Sequence, residues 1–123
     1  MFNLAKDHFV NGEYKEAISI YDNILEIAPN NISTLKMKGI AQSNLDHHEK
    51  SLKQFFKILQ YNSNDAVSLV GMGVGFGNLG EYEESAKYFE RASKQNYIDA
   101  QCNLSFMYAS GKGVFPNFGR ANQ

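Results

Sequence analysis

Apolar residues recur along most of this chain three and four positions apart, which is the spacing of one helical face. Between positions 14 and 27 the residues that separate them are mainly polar. This pattern predicts an amphipathic helix over 14–27. Its apolar face is Ala17, Ile18, Tyr21, Ile24 and Leu25. The same reasoning predicts helices over 1–10, 32–45, 49–61, 65–79 and 82–94.

Short turn segments separate the predicted helices. Asn11-Gly12 ends the first helix, and Pro29 ends the second because the residue before a proline is pushed out of the α-helical region. We expect Ser33 to cap the third helix and positions 46–48 to form the next turn. In the fourth helix, the residues expected to face the core are Leu52, Phe55, Phe56, Ile58 and Leu59.

The helices form pairs that repeat every 34 residues. In each pair a small residue is followed four places later by an aromatic residue: Ala17 with Tyr21, Ser51 with Phe55, and Ser85 with Phe89. A second series has the same period, with Gly12, Asp46 and Gly80 in turns and Ala5, Gly39 and Gly73 inside the preceding helices. Two series at one period predict a repeat protein.

The pattern resembles the tetratricopeptide repeats, whose 34-residue unit carries a large apolar residue, Leu-Gly, an aromatic, Ala, a second aromatic and Pro. The matching residues are Leu4, Ala5, His8, Ala17, Tyr21 and Pro29, then Leu35, Gly39, Ser51 and Phe55, then Leu69, Met72, Gly73, Phe76, Ser85 and Phe89. Lys38, Gln42, Ser63 and Tyr97 depart from the pattern. The resemblance implies an all-α fold, a right-handed solenoid of antiparallel helix pairs.

The C-terminal part, 98–123, resembles the opening of a Sel1-like repeat, with Leu104, Ser105 and Tyr108 where Leu, Gly and an aromatic belong. Its second helix has barely begun when the sequence stops. We therefore expect one TPR-like domain over 1–123, with three helix pairs and a partial fourth. The repeat boundaries are expected at about 1–31, 32–65, 66–97 and 98–123.

Composition narrows the function classes. The net charge of −1 gives no general attraction to nucleic acid or to an anionic membrane, so we expect neither as a partner. The single Cys102 cannot form an internal disulfide, and no secretory leader or membrane-length apolar run is evident. These features favour a soluble, cytoplasmic protein.

The stretch GMGVGFGNLG contains a GxGxxG pattern at Gly75, Gly77 and Gly80. A dinucleotide site needs a strand that runs into a glycine turn and then a helix. Here Gly73 and Gly80 instead occupy the small and turn positions of the repeat. We therefore predict that the glycines lie in a helix and that the chain binds neither NAD nor ATP, and we expect no cofactor.

Other candidate residues also have ordinary structural interpretations. His8 takes a core position, where a packed or hydrogen-bonded histidine is expected rather than a ligand, and His47 and His48 diverge in a turn, so we predict no metal site. Glu81, Glu83 and Glu84 suit the start of a helix, whose dipole they complement. Nothing requires catalysis. The row Lys50, Lys53 and Lys57 could bind a small anion, although a solvated face is the preferred interpretation.

The resemblance also implies a concave groove lined by the first helix of each pair, where family members usually bind peptides. The residues at its positions are Phe2, Lys6, Phe9, Lys36, Met37, Ile40, Val70, Val74, Asn103 and Phe106. The sites at which some members clamp a carboxylate are Phe2, Lys6, Met37, Val67 and Gly71, of which one alone is charged.

The apolar groove favours a noncatalytic protein-interaction scaffold or adaptor that binds an apolar peptide or an amphipathic helix. Two alternatives remain open. The chain could be a self-assembling scaffold whose groove and open ends are filled by another copy, which would make it a homo-oligomer. It could also be an accessory domain of a larger enzyme.

Overall fold

The structure, a computed structural model, describes residues 2–95, with the backbone alone for Phe2. The partial Sel1-like unit, Cys102, Asn103 and Phe106 lie outside this part. Within it the chain forms six helices. They are α1 (Phe2–Val10), α2 (Tyr14–Ile27), α3 (Ile32–Asn44), α4 (His48–Tyr61), α5 (Ala66–Asn78) and α6 (Tyr82–Ser93). The observed bounds agree with the predicted ones to within one residue.

Each helix packs against the next one along the chain, and α3 also contacts α5. Because the connections are short, consecutive helices run antiparallel. The helices therefore form three stacked pairs, α1–α2, α3–α4 and α5–α6. The first pair contacts the second where α2 packs on α3, and the second contacts the third where α4 packs on α5. This arrangement confirms the predicted all-α solenoid of helix pairs. None of the helices within 2–95 combines the length and apolar character needed to cross a membrane.

The turn inside each pair has the same backbone conformation. Gly12, Asp46 and Gly80 have φ angles of 78°, 62° and 84°, in the left-handed region that suits glycine and that aspartate tolerates. The next N–H donates back to the carbonyl five residues earlier in all three turns, at 2.8 Å. This is the Schellman ending of a helix, and it confirms the second sequence series.

The N-cap of α3 is Asn31, so the expectation of Ser33 is wrong. The Asn31 side-chain oxygen accepts a hydrogen bond from the Thr34 N–H at 3.0 Å. A cap residue must precede the first helical residue, and Ser33 lies inside the first turn. Asp65 caps α5 in the same way, accepting from the Ser68 N–H at 3.0 Å.

The small positions bring the two helices of each pair together. The Ser51 hydroxyl donates to the Gly39 carbonyl at 2.8 Å, and the Ser85 hydroxyl donates to the Gly73 carbonyl at 2.6 Å. In the first pair both small residues are alanines, Ala5 and Ala17, which are fully buried. The aromatic residues that follow four places later, Tyr21, Phe55 and Phe89, are at most 1% exposed. The predicted repeat register is confirmed.

Two residues expected to pack are instead exposed. Leu4 is 54% exposed, whereas Met72, its counterpart in the third repeat, is buried against the repeat before it. No helix precedes α1 within the described residues, so this part of the chain gives Leu4 no contact equivalent to the one that buries Met72. Phe56 is also 54% exposed, because its neighbour Phe55 takes the core-facing direction of α4 and the next side chain points about 100° away.

The glycines of α5 lie inside a helix, as predicted. A Cβ added at Gly71 would come within 2.5 Å of the Phe55 ring, and one added at Gly73 would come within 2.6 Å of the Phe89 ring. The glycines therefore let α5 approach α4 on one side and α6 on the other. The segment that a dinucleotide fingerprint would need as a strand is helical. The absence of NAD or ATP binding stays a prediction.

Candidate interaction surfaces

The predicted groove residues within 2–95 fall on the first helices of the pairs, but they differ in accessibility. On α1, Lys6 is exposed and Phe9 is half-buried. On α3, Lys36, Met37 and Ile40 are half-buried. On α5, Val70 and Val74 are buried. The side chain of Phe2 lies outside the described part.

Val70 and Val74 do not extend an exposed apolar stripe onto α5. Each is 1% exposed, and both belong to one core cluster with Phe89 and Ala92 of α6. The two valines are four residues apart and so share one side of α5, the side that is covered. A partner could reach them only if this packing opened. The accessible part of the predicted groove is therefore on α1 and α3.

On α1 and α3, apolar groove side chains rest on the core beneath them. Phe9 and Met37 pack against the cluster of Ala5, Ala17 and Tyr21, and Ile40 packs against the next cluster. The Phe9 ring also meets the Tyr14 ring edge to face, with centroids 5.4 Å apart. These contacts hold the side chains in place while part of each remains open to solvent.

Lys36 is engaged within the protein. Its ammonium lies 3.2 Å from an Asp65 carboxylate oxygen, and both side chains are partly buried. Burial acts to raise the pKa of the Asp65 carboxyl, but hydrogen bonds from Ser68 and the charge of Lys36 outweigh it, so this pKa lies below its usual value. The pair ties α3 to the start of α5 and leaves Lys36 less available to a partner.

A second candidate surface is a cleft of about 500 Å³ between α2, α3 and α4. We call it the basic cleft. It is lined by Lys15, Ile18, Asp22, Lys38, Gln42, Leu45, His47, Lys50, Lys53 and Gln54. None of the predicted groove residues is among them.

Lysines dominate the charge of the basic cleft. It contains four lysines and a single carboxylate, Asp22, which lies 2.7 Å from the Lys38 ammonium. Within residues 2–95, Lys15, Lys50 and Lys53 have no ion-pair partner. Such unpaired cations attract an anionic ligand most strongly at low ionic strength.

Part of this cleft was visible in the sequence as the row Lys50, Lys53 and Lys57, but the Lys57 ammonium instead donates to the Pro29 carbonyl at 3.4 Å. Lys15 and Lys38 were not part of the predicted row, because these residues come from other helices. The available signal was the departure of Lys38 and Gln42 from the repeat pattern, since both positions line the cleft.

The remaining candidates have local roles. His8 Nδ1 lies 2.9 Å from Glu13 Oε1, which confirms a hydrogen-bonded histidine. His48 Nε2 lies 3.7 Å from Asp46 Oδ1, and His48 is the first residue of α4, so the turn expected over 46–48 ends one residue earlier. Glu83 and Glu84 occupy the first turn of α6, as expected. Within residues 2–95, no three His, Cys, Asp or Glu side chains are grouped so that they could share a metal ion.

Two crystal structures of MamA are similar to this chain, with TM-scores of 0.79 and 0.80. The chain has a TPR-like helical-repeat fold. Both MamA chains are 21% identical to it, and the matches cover 89% and 90% of this chain but 61% and 66% of theirs. The chain thus spans about two thirds of the length of these structures. No protein-family model and no curated protein sequence matches it.

Proposed function

We propose that this protein is a noncatalytic scaffold that binds a protein partner on the face formed by α1 and α3. The observation that carries the proposal is the placement of Phe9, Met37 and Ile40 on these successive first helices. Each packs on the core with one part and leaves another part accessible. The face is smaller than the stripe expected from the sequence, because α5 contributes buried valines.

Side chains already held by core contacts lose little further freedom when a partner covers them, which favours binding. An apolar segment, or the apolar side of an amphipathic helix, is the complement of such a surface. Exposed Lys6 shares the face of α1 with Phe9, because the two are three residues apart. An acidic residue beside the apolar anchors of the partner would therefore pair with it.

Site-specific photo-cross-linking tests the proposal even when the partner has not been identified. A benzophenone side chain would replace Phe9, Met37 or Ile40 in the cells that make the protein. Ile27 supplies the matched control, because it is apolar and 85% exposed but lies at the end of α2. We expect one cross-linked protein shared by the three positions and absent from the control.

With that protein purified, Ile40→Asp should weaken binding about tenfold or more, and Ile27→Asp should leave it within about twofold. Circular dichroism would establish that both variants remain folded. Equal cross-linking from Ile27, or no product at any of the three positions, would contradict the proposal.

Self-assembly is a second candidate function, favoured by the exposure of Leu4. The equivalent position in the third repeat is covered by the preceding repeat, so another copy could cover Leu4 in the same way. Light scattering should then show a mass that rises with concentration in the wild type and stays low in Leu4→Ser. A wild type that remains monomeric up to about 100 μM would exclude this function at relevant affinity.

A further inference from the structure

The basic cleft has a counterpart one repeat later, and the two are built differently. Moving 34 positions along the chain replaces Gln42 with Phe76 and Gln54 with Tyr88. The Phe76 and Tyr88 rings stack there, with centroids 5.7 Å apart and planes 16° from parallel. In the basic cleft, two glutamines occupy the positions of these rings. The side chains that line the basic cleft thus differ from those at the equivalent place in the next repeat.

The charge is also specific to this place. His47 and Lys50 of the basic cleft correspond to Glu81 and Glu84 in the next repeat, and Lys15 corresponds to Glu49. Lys53 corresponds to Lys87, which is paired with Glu84 at 3.1 Å. Lysines that only keep a helix surface solvated could be replaced singly by acidic residues from one repeat to the next. Here several cleft positions are basic together, and the equivalent positions of the next repeat are acidic. The cationic character therefore coincides with the cavity.

The interior of the cleft offers further contacts to a ligand. Gln42 is 6% exposed and lines the cleft, and its side-chain oxygen is buried without a hydrogen-bond partner. A buried amide of this kind is costly unless a partner satisfies it. Ile18 and Leu45 add apolar surface, and a volume near 500 Å³ is in the range of small ligand sites.

We propose that the basic cleft binds an acidic peptide segment of a partner protein. Lys15, Lys50 and Lys53 pair with its carboxylates, and the Gln42 side chain pairs with its backbone. The methylene groups of glutamate side chains lie against Ile18 and Leu45. Lysines on α2 and α4, with Gln42 on the helix that packs against both, suit an extended chain, whose charges and amide groups alternate along its length.

The surroundings favour a short peptide over a nucleic acid. The acidic residues Glu49, Glu81, Glu83 and Glu84 occur on the same helix and on the next repeat, and the chain as a whole carries a charge of −1. A long polyanion would extend beyond the cleft and meet these like charges. A short acidic segment can remain within it.

Fluorescence anisotropy with a labelled hexaglutamate peptide tests the proposal on the full chain. We expect saturable binding at low salt that weakens as salt rises, because exposed charges are screened. Hexaglutamine should not bind. Lys50→Glu with Lys53→Glu should weaken binding by about tenfold or more, which corresponds to about 1.4 kcal/mol.

A matched control is Lys57→Glu with Lys87→Glu. These lysines are exposed on α4 and α6, lie outside the cleft, and change the net charge by the same amount. The control should bind within about twofold of the wild type. A third variant, Gln42→Phe with Gln54→Tyr, keeps every charge but places the aromatic pair of the next repeat in the cleft. It should lose binding while remaining folded.

Several results would overturn the proposal. They are an absence of hexaglutamate binding, equal losses in the cleft and control variants, and unchanged binding when the cleft is filled. Displacement of hexaglutamate by inorganic phosphate or by a twelve-base oligothymidine at lower concentration would overturn the peptide assignment. So would a mass that doubles in the wild type but not in Lys50→Glu with Lys53→Glu, since the occupant would then be a second copy.

This proposal goes beyond the surface of α1 and α3, and the two surfaces share no residue. Loss of hexaglutamate binding in the cleft variants would not alter cross-linking from Phe9, Met37 or Ile40. The failure of either proposal can thus be told from the failure of the other.

Discussion

Two equivalent junctions between successive repeats have the same backbone arrangement but different side chains, and a cleft lies at the first of them. The first junction is where α2 packs on α3, beside α4, and the second is where α4 packs on α5, beside α6. At the second, the stacked rings of Phe76 and Tyr88 pack against the core cluster that contains Phe55, and the Arg91 guanidinium lies 5.4 Å from the centre of the Tyr88 ring. The first has glutamines at the ring positions and an ion pair, Lys38 with Asp22, where the second has apolar residues.

The difference shows that the helix frame and the side chains between repeats are separable. Both junctions keep the Schellman turns, the N-caps and the serine hydroxyl that joins the helices of a pair. What changes is the filling between successive repeats. The side chains between repeats can therefore change while the turns, caps and contacts within each helix pair stay the same. This is a general property of repeat folds, whose units are held by nearest-neighbour contacts.

The largest effect should come from breaking the frame that both junctions share. Ser85→Leu forces a larger side chain into a fully buried contact and removes the hydroxyl bond to the Gly73 carbonyl. We expect a loss of about 3 kcal/mol in the free energy of unfolding, near the upper end for overpacked cores. Ser51→Leu should cost a similar amount, measured by urea denaturation. A neutral effect of either variant would contradict the close contact of the paired helices at these serines.

A smaller effect should separate the two junctions. A Cβ at Gly71 would lie 2.5 Å from the Phe55 ring, and one at Gly39 would lie 2.9 Å from the same ring. Alanine gains about 1 kcal/mol over glycine in a helix interior, which offsets part of the clash. Gly71→Ala should therefore destabilise by about 2 kcal/mol and Gly39→Ala by less than about 1 kcal/mol. The reverse order in thermal or urea unfolding would refute the closer approach of α5.

Exchanging the fillings tests the comparison directly. Gln42→Phe with Gln54→Tyr should stabilise the protein by about 1 kcal/mol, because a stacked aromatic pair contributes roughly that much beyond its buried area. Phe76→Gln with Tyr88→Gln should destabilise it, since it removes the stack and leaves the second junction open. If the first exchange destabilised the chain instead, the space in the first junction would not match that of the second.

The helices, their turns and the contacts within each pair could be predicted from the sequence, because they depend on local, periodic features. Small residues at Gly39 and Gly73, aromatic residues at Phe55 and Phe89, and the glycine or aspartate of each turn all recur at one period, so their roles could be predicted together. Which apolar side chains are buried by a neighbouring helix was harder to predict. The exposure of Leu4 and Phe56 and the burial of Val70 and Val74 depend on which helix lies opposite, and a periodic pattern does not contain that information.

The basic cleft was only partly predictable for a related reason. Lys50 and Lys53 share one helix face and were visible as a row, but Lys15 and Lys38 join them through packing between helices. The sequence did mark the place, because Lys38 and Gln42 depart from the repeat pattern. Departures from a repeat can thus indicate where a unit has been adapted, although the chemistry emerges only when the helices are assembled.

The smallest effect concerns the N-caps of α3 and α5. Both accept a hydrogen bond from the backbone N–H three residues later, but their side chains differ in charge. Asn31 caps α3 with an uncharged amide, whereas Asp65 caps α5 with a carboxylate that also pairs with Lys36. The pKa of Asp65 lies below its unfolded value, so the unfolded chain binds the proton more readily. The stabilisation is then present at neutral pH and is lost as pH falls through the folded-state pKa.

Asp65→Asn should therefore remove part of the acid sensitivity of the fold. At pH 7 we expect it to cost less than about 1 kcal/mol, because asparagine still accepts the cap hydrogen bond and only the charge is lost. As pH falls below about 4, where an ordinary Asp protonates, the stabilities of the wild type and the variant should converge. Asn31→Asp is the matched control at the other cap, since it places a carboxylate at an N-cap where the wild type has an uncharged amide. A gap between wild type and Asp65→Asn that widened toward low pH would show that the carboxylate does not act through its charge.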